Sequence, residues 1–187
     1  MGDLRQEIHT RFDNLPVPFS VSDRGIFCGL FVDPEPIVTI LYMLTEGLHP
    51  VKLSFGLGRG KITTEMNSDV WKMDGPCFQR ARRAMQRASK RGRWVEVKGF
   101  DEPFDQMLYG LFSLQGAVRS GWTEKQNLYA HTSRAMLQKD VAGMFGISPS
   151  VVSQSLKSAS FDAILEGEKA TQSLLGLFYE KPQEVHV

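Results

Sequence analysis

The chain has 187 residues, of which 42% are hydrophobic and 23% are charged, the balance of a soluble globular protein. Its formal net charge of +1 argues against a protein that binds polyanions over its whole surface, although a local basic patch remains compatible with it. Cys28 and Cys77 stand far apart without metal-ligand spacing, so neither a disulfide framework nor a zinc site is expected. The length suits one ordinary domain or two small ones.

The sequence predicts a cytoplasmic protein that has no membrane partner and needs no cofactor. No apolar run reaches the ~18 residues of a membrane span. The N-terminal stretch MGDLRQEIHT lacks the apolar core of a signal peptide. The four histidines are scattered along the chain and form no catalytic or metal-binding motif.

The first 118 residues alternate between helical and extended hydrophobic periodicity. Such alternation predicts an α+β layer in which helices cover one sheet. In chain order we predict a helix at 3–14, two strands within 17–33 around a turn at 22–25, a helix at 34–46, a strand at 51–60, a helix at 76–91, a strand at 94–97 and a helix at 103–118.

No strand signal remains after Gly121, and the rest of the chain predicts helices at 122–136, 138–145, 148–158 and 161–180. A boundary at residues 119–121 then divides the chain into an α+β domain at 1–118 and an all-α domain at 119–187. Part of the apolar face of the last helix would pack on the two helices at 138–158, and the rest of that face would be free to pair two chains.

The stretch QKDVAGMFGISPSVVSQSL, residues 138–156, has the spacing of two helices that cross closely at a steep angle. Ala142 lets the helices approach, Gly146 permits a turn with positive φ, and Val152 fills the crossing. Ser148 is the expected N-cap and Pro149 suits the first position of the second helix. We interpret this segment as a helix-turn-helix of the kind found in bacterial transcription regulators.

The second helix of this motif would present side chains that hydrogen-bond to base edges or phosphates. Gln154 is the best candidate for reading adenine, because an amide can pair with that base through two hydrogen bonds. The predicted DNA-binding residues are Lys139, Ser148, Ser150, Ser153, Gln154 and Lys157. The alternative is a helical hairpin that serves only packing. The balance of seven basic and seven acidic residues over 116–187 counts against DNA binding, but residues 120–160 alone have a net charge of +2.

Residues 76–93 hold seven basic residues and no acidic one, the strongest charge concentration in the sequence. Small residues share one face of this predicted helix, and Arg80, Arg83 and Arg87 fall on the other side. These three arginines are candidate phosphate contacts beside the helix-turn-helix, which would make binding fall steeply with salt. A merely solvated helix face is the alternative.

The run LSFGLGRGKITTEMN, followed by MDGPCFQRARRAM, resembles the SatD family. That family has a strand ending in RxGIGxGxI and then a DGPA segment that opens a helix with an Ala-Arg pair. Residues 53–62, Asp74, Gly75, Pro76 and the pair Ala81 and Arg82 match as they stand. The resemblance implies that the front domain is similar to the ferredoxin-like palm of nucleotide cyclases and GGDEF enzymes, with an antiparallel sheet, and that a helix-turn-helix follows it.

The sequence departs from the palm pattern where catalysis would need acidic residues. Gly25 and Ile26 stand in place of the acidic pair of the hairpin, and Asp23 is alone nearby. The family's first strand, which carries further acids, has no counterpart before the helix at residue 3. Cyclase chemistry uses two metals held by paired carboxylates. We therefore expect no enzymatic activity and no bound metal.

Three functions follow as hypotheses. The first is a transcriptional regulator that binds double-stranded DNA as a homodimer through helix 148–158, with a front domain for dimerisation or for sensing a small-molecule or nucleotide effector. The second is a nucleotide-binding or residual cyclase-like domain with a helical partner-binding tail, which would bind nucleotide near Asp23 and Asp74 in a manner that depends on a divalent metal. The third is a scaffold whose helices mediate assembly only.

Overall fold

The computed structural model of the protein describes residues 2–12 and 15–178. Within them the chain is mixed α and β, with eight α-helices, four strands and one short 3-10 helix, as the sequence predicted in outline. In chain order the elements are α1 Gly2–Arg11, β1 Val17–Val21, β2 Phe27–Leu30, α2 Glu35–Gly47, β3 Phe55–Gly58, the 3-10 helix Val70–Lys72, α3 Pro76–Lys90, β4 Val95–Lys98, α4 Glu102–Ser120, α5 Glu124–Ser133, α6 Gln138–Phe145, α7 Pro149–Ser158 and α8 Phe161–Gly176.

The predicted helices and the hairpin are confirmed, with small differences at their ends. The predicted helices at 3–14 and 161–180 extend at residues 13–14 and 179–180 beyond the described part of the chain. The strand predicted at 51–60 is much shorter in the structure, because β4 offers a pairing partner only to the four residues of β3.

The predicted single antiparallel sheet is replaced by two separate pairs of strands in the described residues. β1 and β2 pair antiparallel, with Val17 opposite Leu30, as predicted for the hairpin. β3 and β4 pair parallel, with Phe55 opposite Val95, so the antiparallel prediction is wrong for this pair. The reason is the connection: α3 returns the chain to the starting end of β3, and β4 then runs in the same direction.

The glycines of β3 are required by the close approach of α3. A Cβ atom on Gly56 or Gly58 would overlap backbone atoms of α3 around Ala81. Two small residues of α3, Ala84 and Ala88, are fully buried against this strand pair. The glycines therefore let α3 lie against the backbone of β3, and Arg80, Arg83 and Arg87 of α3 are exposed on its outer side.

The largest core brings residues from both halves of the chain together. Tyr42 of α2, Val95 of β4 and Phe112 of α4 are buried in the same cluster as Ile164 and Leu175 of α8. The predicted boundary at 119–121 coincides with the C-terminal end of α4. The division into two domains stays a prediction, and the packing of α8 against α2 and α4 ties the helices after that boundary to the front of the protein.

A buried ionic network links α2, α5 and α8. The guanidinium of Arg134, immediately after α5, donates to Glu46 Oε1 at 2.9 Å and to Glu168 Oε2 at 2.9 Å. The Arg119 guanidinium lies 5.1 Å from the centre of the Tyr42 ring in the same region. Burial raises the pKa of Glu168, and the bonds from Arg134 counter that rise. Among the described residues Glu168 pairs with Arg134 alone, whereas Glu46 also lies 3.9 Å from Nε of Arg119, so loss of Arg134 would leave Glu168 without an ion pair.

Within the described residues, no helix combines the length and the apolar character needed to cross a bilayer.

Candidate nucleic-acid interface

The turn between α6 and α7 is a left-handed helix cap. Gly146 has φ 63° and ψ 33°, a conformation that glycine adopts without the steric cost of a Cβ atom. The N–H of Gly146 donates to the carbonyl of Gly143 at 3.3 Å, and the N–H of Ile147 donates to the carbonyl of Ala142 at 3.0 Å. This is the hydrogen-bond pattern of a Schellman motif. It ends α6 sharply and sets the direction in which α7 leaves.

The inner face of α6 and α7 forms its own small core. Val141 and Ala142 of α6 and Val152 and Leu156 of α7 are buried, which confirms the predicted crossing at Ala142 and Val152. Tyr129 of α5 and the first residue of α8 complete the same cluster. Because α7 packs on α5, α6 and α8, its orientation is fixed by three neighbours and its remaining face is turned outward.

The start of α7 differs in one detail from the prediction. Ser148 occupies the N-cap position with extended backbone angles, and Pro149 is the first helical residue, as expected. The side chain of Ser148 does not cap the helix; its Oγ lies 2.8 Å from Oγ of Ser150 instead. Two hydroxyls that bond to each other satisfy part of their own hydrogen-bonding capacity, and each keeps an oxygen that can accept from a ligand.

All six predicted DNA-binding side chains are exposed in the structure. In the described part of the chain, Ser153, Gln154 and the two lysines have no side-chain hydrogen bond or ion pair, whereas Ser148 and Ser150 bond to each other. Met144 and Val151 are exposed apolar neighbours of these side chains that were not predicted from the sequence. The sequence did indicate that both are exposed, because neither falls on the inward-facing period of α6 and α7.

The three predicted phosphate contacts on α3 are exposed too, but two of them already have partners. Nη1 of Arg80 donates to the carbonyl oxygen of Arg59 at 2.7 Å. Nη2 of Arg87 lies 3.9 Å from Oε2 of Glu96, a buried residue of β4. For Arg83, no ion pair or side-chain hydrogen bond occurs within residues 2–12 and 15–178. The pairing with Glu96 was not predicted, because Glu96 lies just outside the window of seven basic residues.

Glu96 gathers further arginines from the same region. Arg91 lies 3.7 Å from its carboxylate, and Arg93 bonds to it directly. One buried acidic side chain therefore offsets part of the positive charge that the sequence places around α3. α3 packs on β3 and β4, whereas α7 packs on α5, α6 and α8. The candidate phosphate contacts on α3 and the candidate DNA-binding face of α7 are therefore held in place by different elements.

The residues of the nucleotide-binding hypothesis lie on separate elements. Asp23 is exposed in the turn between β1 and β2, and Asp74 precedes α3. Oδ1 of Asp74 accepts the N–H of Gly75 at 2.7 Å, which is a local structural role. Among the described residues, no group of three or more histidine, cysteine, aspartate or glutamate side chains is placed to hold a metal ion.

Residues 2–175 match the model of the SatD family. No curated protein matches the chain, and no solved structure does. The match covers both the strand pairs and the helices that follow them, so the candidate interface on α6 and α7 lies inside the matched region.

Proposed function

The chain belongs to the SatD family, and on that premise we propose that it is a DNA-binding transcriptional regulator whose helix α7 reads the major groove. The family name states no activity, and the proposal rests on residues of the chain itself. The observation that carries it is the outer face of α7, which is polar apart from Val151, free of acidic side chains and directed outward by a buried crossing with α6. A packing hairpin would not need this combination.

Each part of this face has a role in the proposed complex. Gln154 stands at mid-helix, where its amide would pair with an adenine edge. Lys139 and Lys157 would contact phosphates on either side and set the register of the helix. Val151, which is exposed beside Gln154, would contact a thymine methyl group. Ser148 and Ser150 at the start of α7 would form hydrogen bonds with the DNA sugar-phosphate backbone or with a base.

The front of the protein serves dimerisation or effector sensing in this proposal. Its finer architecture is proposed to be that of a ferredoxin-like, cyclase-type palm without catalytic carboxylates. The antiparallel hairpin of β1 and β2 agrees with such a palm, whereas the parallel pair of β3 and β4 departs from its antiparallel sheet. Arg83 is the proposed added phosphate contact, because among the three predicted α3 arginines it has no ion pair or side-chain hydrogen bond within the described residues.

The test is fluorescence anisotropy of the protein with labelled fragments of its own upstream DNA, over a salt series. We expect one fragment to bind roughly a thousandfold or more tightly than random DNA. Gln154→Ala should lose about fivefold to a hundredfold on that fragment and nothing on random DNA, because it removes one base contact. Lys157→Ala should weaken binding to both and lower the salt slope by about one.

Matched controls are Gln6→Ala and Lys52→Ala, which remove the same side chains from exposed positions far along the chain from α7. Both should bind as the parent protein does. Equal binding to every fragment, or parental affinity of the α7 variants, would show that α7 does not read the DNA sequence.

A further inference from the structure

One flank of α4 is apolar and faces water. Met107, Leu114 and Val118 are 54%, 69% and 40% exposed, and Leu111 between them is half-buried. These residues recur at intervals of three and four, so they lie in one row along the helix. Gly110 and Ala117 lie beside the row. These six residues, Met107, Gly110, Leu111, Leu114, Ala117 and Val118, are the α4 stripe.

The α4 stripe is distinct from the face that α4 buries. Leu108, Phe112 and Gln115 turn into the protein, and Gln115 bonds there to Tyr42 and Thr171. No charged residue occurs between Asp105 and Arg119, so the stripe has none of the charged groups that normally solvate an exposed helix. Contiguous exposed apolar surface of this kind marks an interaction site.

We propose that the α4 stripe is the contact between two copies of this chain, paired antiparallel about a two-fold axis near Leu111 and Leu114. Such an interface uses the same patch on both copies. Met107 of one copy then meets Val118 of the other, and Leu111 meets Leu114, so the row covers itself over its whole length. Gly110 and Ala117 let the helix axes approach to within the ~8–10 Å of packed helices.

A second copy fits the stripe for a further reason. The apolar residues of α8, which the sequence offered for pairing, are used inside the chain: Ile164 and Leu175 are buried with Phe112. In the described residues, α4 therefore carries a longer uncharged exposed row than α8 does. The role of the pair rests on the proposed function, because a two-fold operator needs two recognition helices.

The size of the stripe predicts a weak dimer. Twelve residues from Met107 to Val118 span only about 18 Å of helix. The six stripe residues are far fewer than the ~20–30 per side of a standard interface. We expect micromolar dissociation in solution, with DNA holding the two copies together at lower protein concentration.

The experiment is sedimentation of the full chain over a wide micromolar concentration range. The parent protein should shift from monomer to dimer, and Leu114→Glu should remain monomeric. Val51→Glu is the matched control: Val51 is 59% exposed and lies outside the stripe, so that variant should dimerise as the parent does. A parent that stays monomeric throughout, or a Leu114→Glu variant that dimerises normally, would overturn the proposal.

Gly110→Lys gives a second test that does not depend on weakening the fold. A Cβ at Gly110 meets no atom within 4 Å, and lysine favours helix over glycine. The melting temperature should rise while the dimer is lost. Unchanged dimerisation of this variant would contradict the close helix approach.

DNA binding separates this proposal from the proposed function. If Leu114→Glu stays monomeric and binds the parent's preferred fragment more weakly while keeping its preference over random DNA, both proposals stand. If the parent dimerises through α4 but binds no DNA, only the function fails. If the parent binds DNA as a monomer, only the dimer fails.

Discussion

Helices α3 and α7 both carry polar side chains outward, but the two helices are positioned by different means. α3 lies directly on the backbone of β3, where Gly56 and Gly58 leave room for it. α7 is directed by the left-handed turn at Gly146, where no neighbour limits the space. Arg87 of α3 also pairs with Glu96, whereas most polar side chains on the outer face of α7 have no partner within the described residues. The seven basic residues of 76–93 therefore leave less positive charge available to a ligand than their number suggests.

Among substitutions that test how α3 and α7 are positioned, Gly56→Ala should change the free energy of unfolding most. The new Cβ would meet backbone rather than a flexible side chain, so α3 must move away from β3. We expect a loss of about 3 kcal/mol in the free energy of unfolding, the upper end of ordinary overpacking, measured by urea denaturation. Gly110→Ala is the control, since open space surrounds that glycine. A loss below that of an average surface substitution would show that α3 is not held by close approach.

Glu96→Gln should have the next largest effect, and it changes stability and binding in opposite directions. It removes a buried carboxylate that Arg87, Arg91 and Arg93 surround. We expect a loss of roughly 2 kcal/mol, as for a hydrogen bond to a charged group, measured by chemical unfolding. Binding to random DNA should tighten, because the arginines are released. Weaker or unchanged binding would mean that α3 does not contact phosphate.

Gly146→Ala should cost about 1–2 kcal/mol, the penalty of a left-handed residue with a Cβ atom. Gly143→Ala, three residues earlier in α6, should instead gain up to about 1 kcal/mol, because alanine favours the helix and its Cβ meets nothing. Thermal unfolding of the two variants measures both. If they change stability by the same amount and sign, the turn does not depend on the positive φ of Gly146.

Arg83→Ala should have the smallest effect on the fold, within about 0.5 kcal/mol, since the side chain is exposed. The substitution should instead change DNA binding. The slope of log affinity against log salt concentration should fall in magnitude by about one if Arg83 contacts a phosphate. Arg87→Ala should change the slope less, because Glu96 already pairs with that arginine. Equal slopes for the two variants would show that the ion pair does not matter for DNA contact.

Local patterns predicted the helices well because the information is local. The helical period of 138–158, the glycine after Phe145 and the proline at the start of α7 each act within a few residues of where they stand. The spacing placed Ala142 and Val152 at the crossing of the two helices, and both are buried as predicted. The outward side chains of α7 followed from the same period.

The sequence by itself therefore determined the order of helices and strands, the crossing of α6 with α7 and the exposure of the candidate DNA-binding side chains. Only the tertiary structure decided the parallel pairing of β3 with β4, the pairing of Glu96 with its arginines and the burial of α8 against α2 and α4. These features join residues far apart in the chain, and their energy depends on which surfaces meet. The α4 stripe is a further example. The helical period of the sequence shows that α4 has an apolar face, but the packing of the folded chain decides how much of that face stays exposed to water.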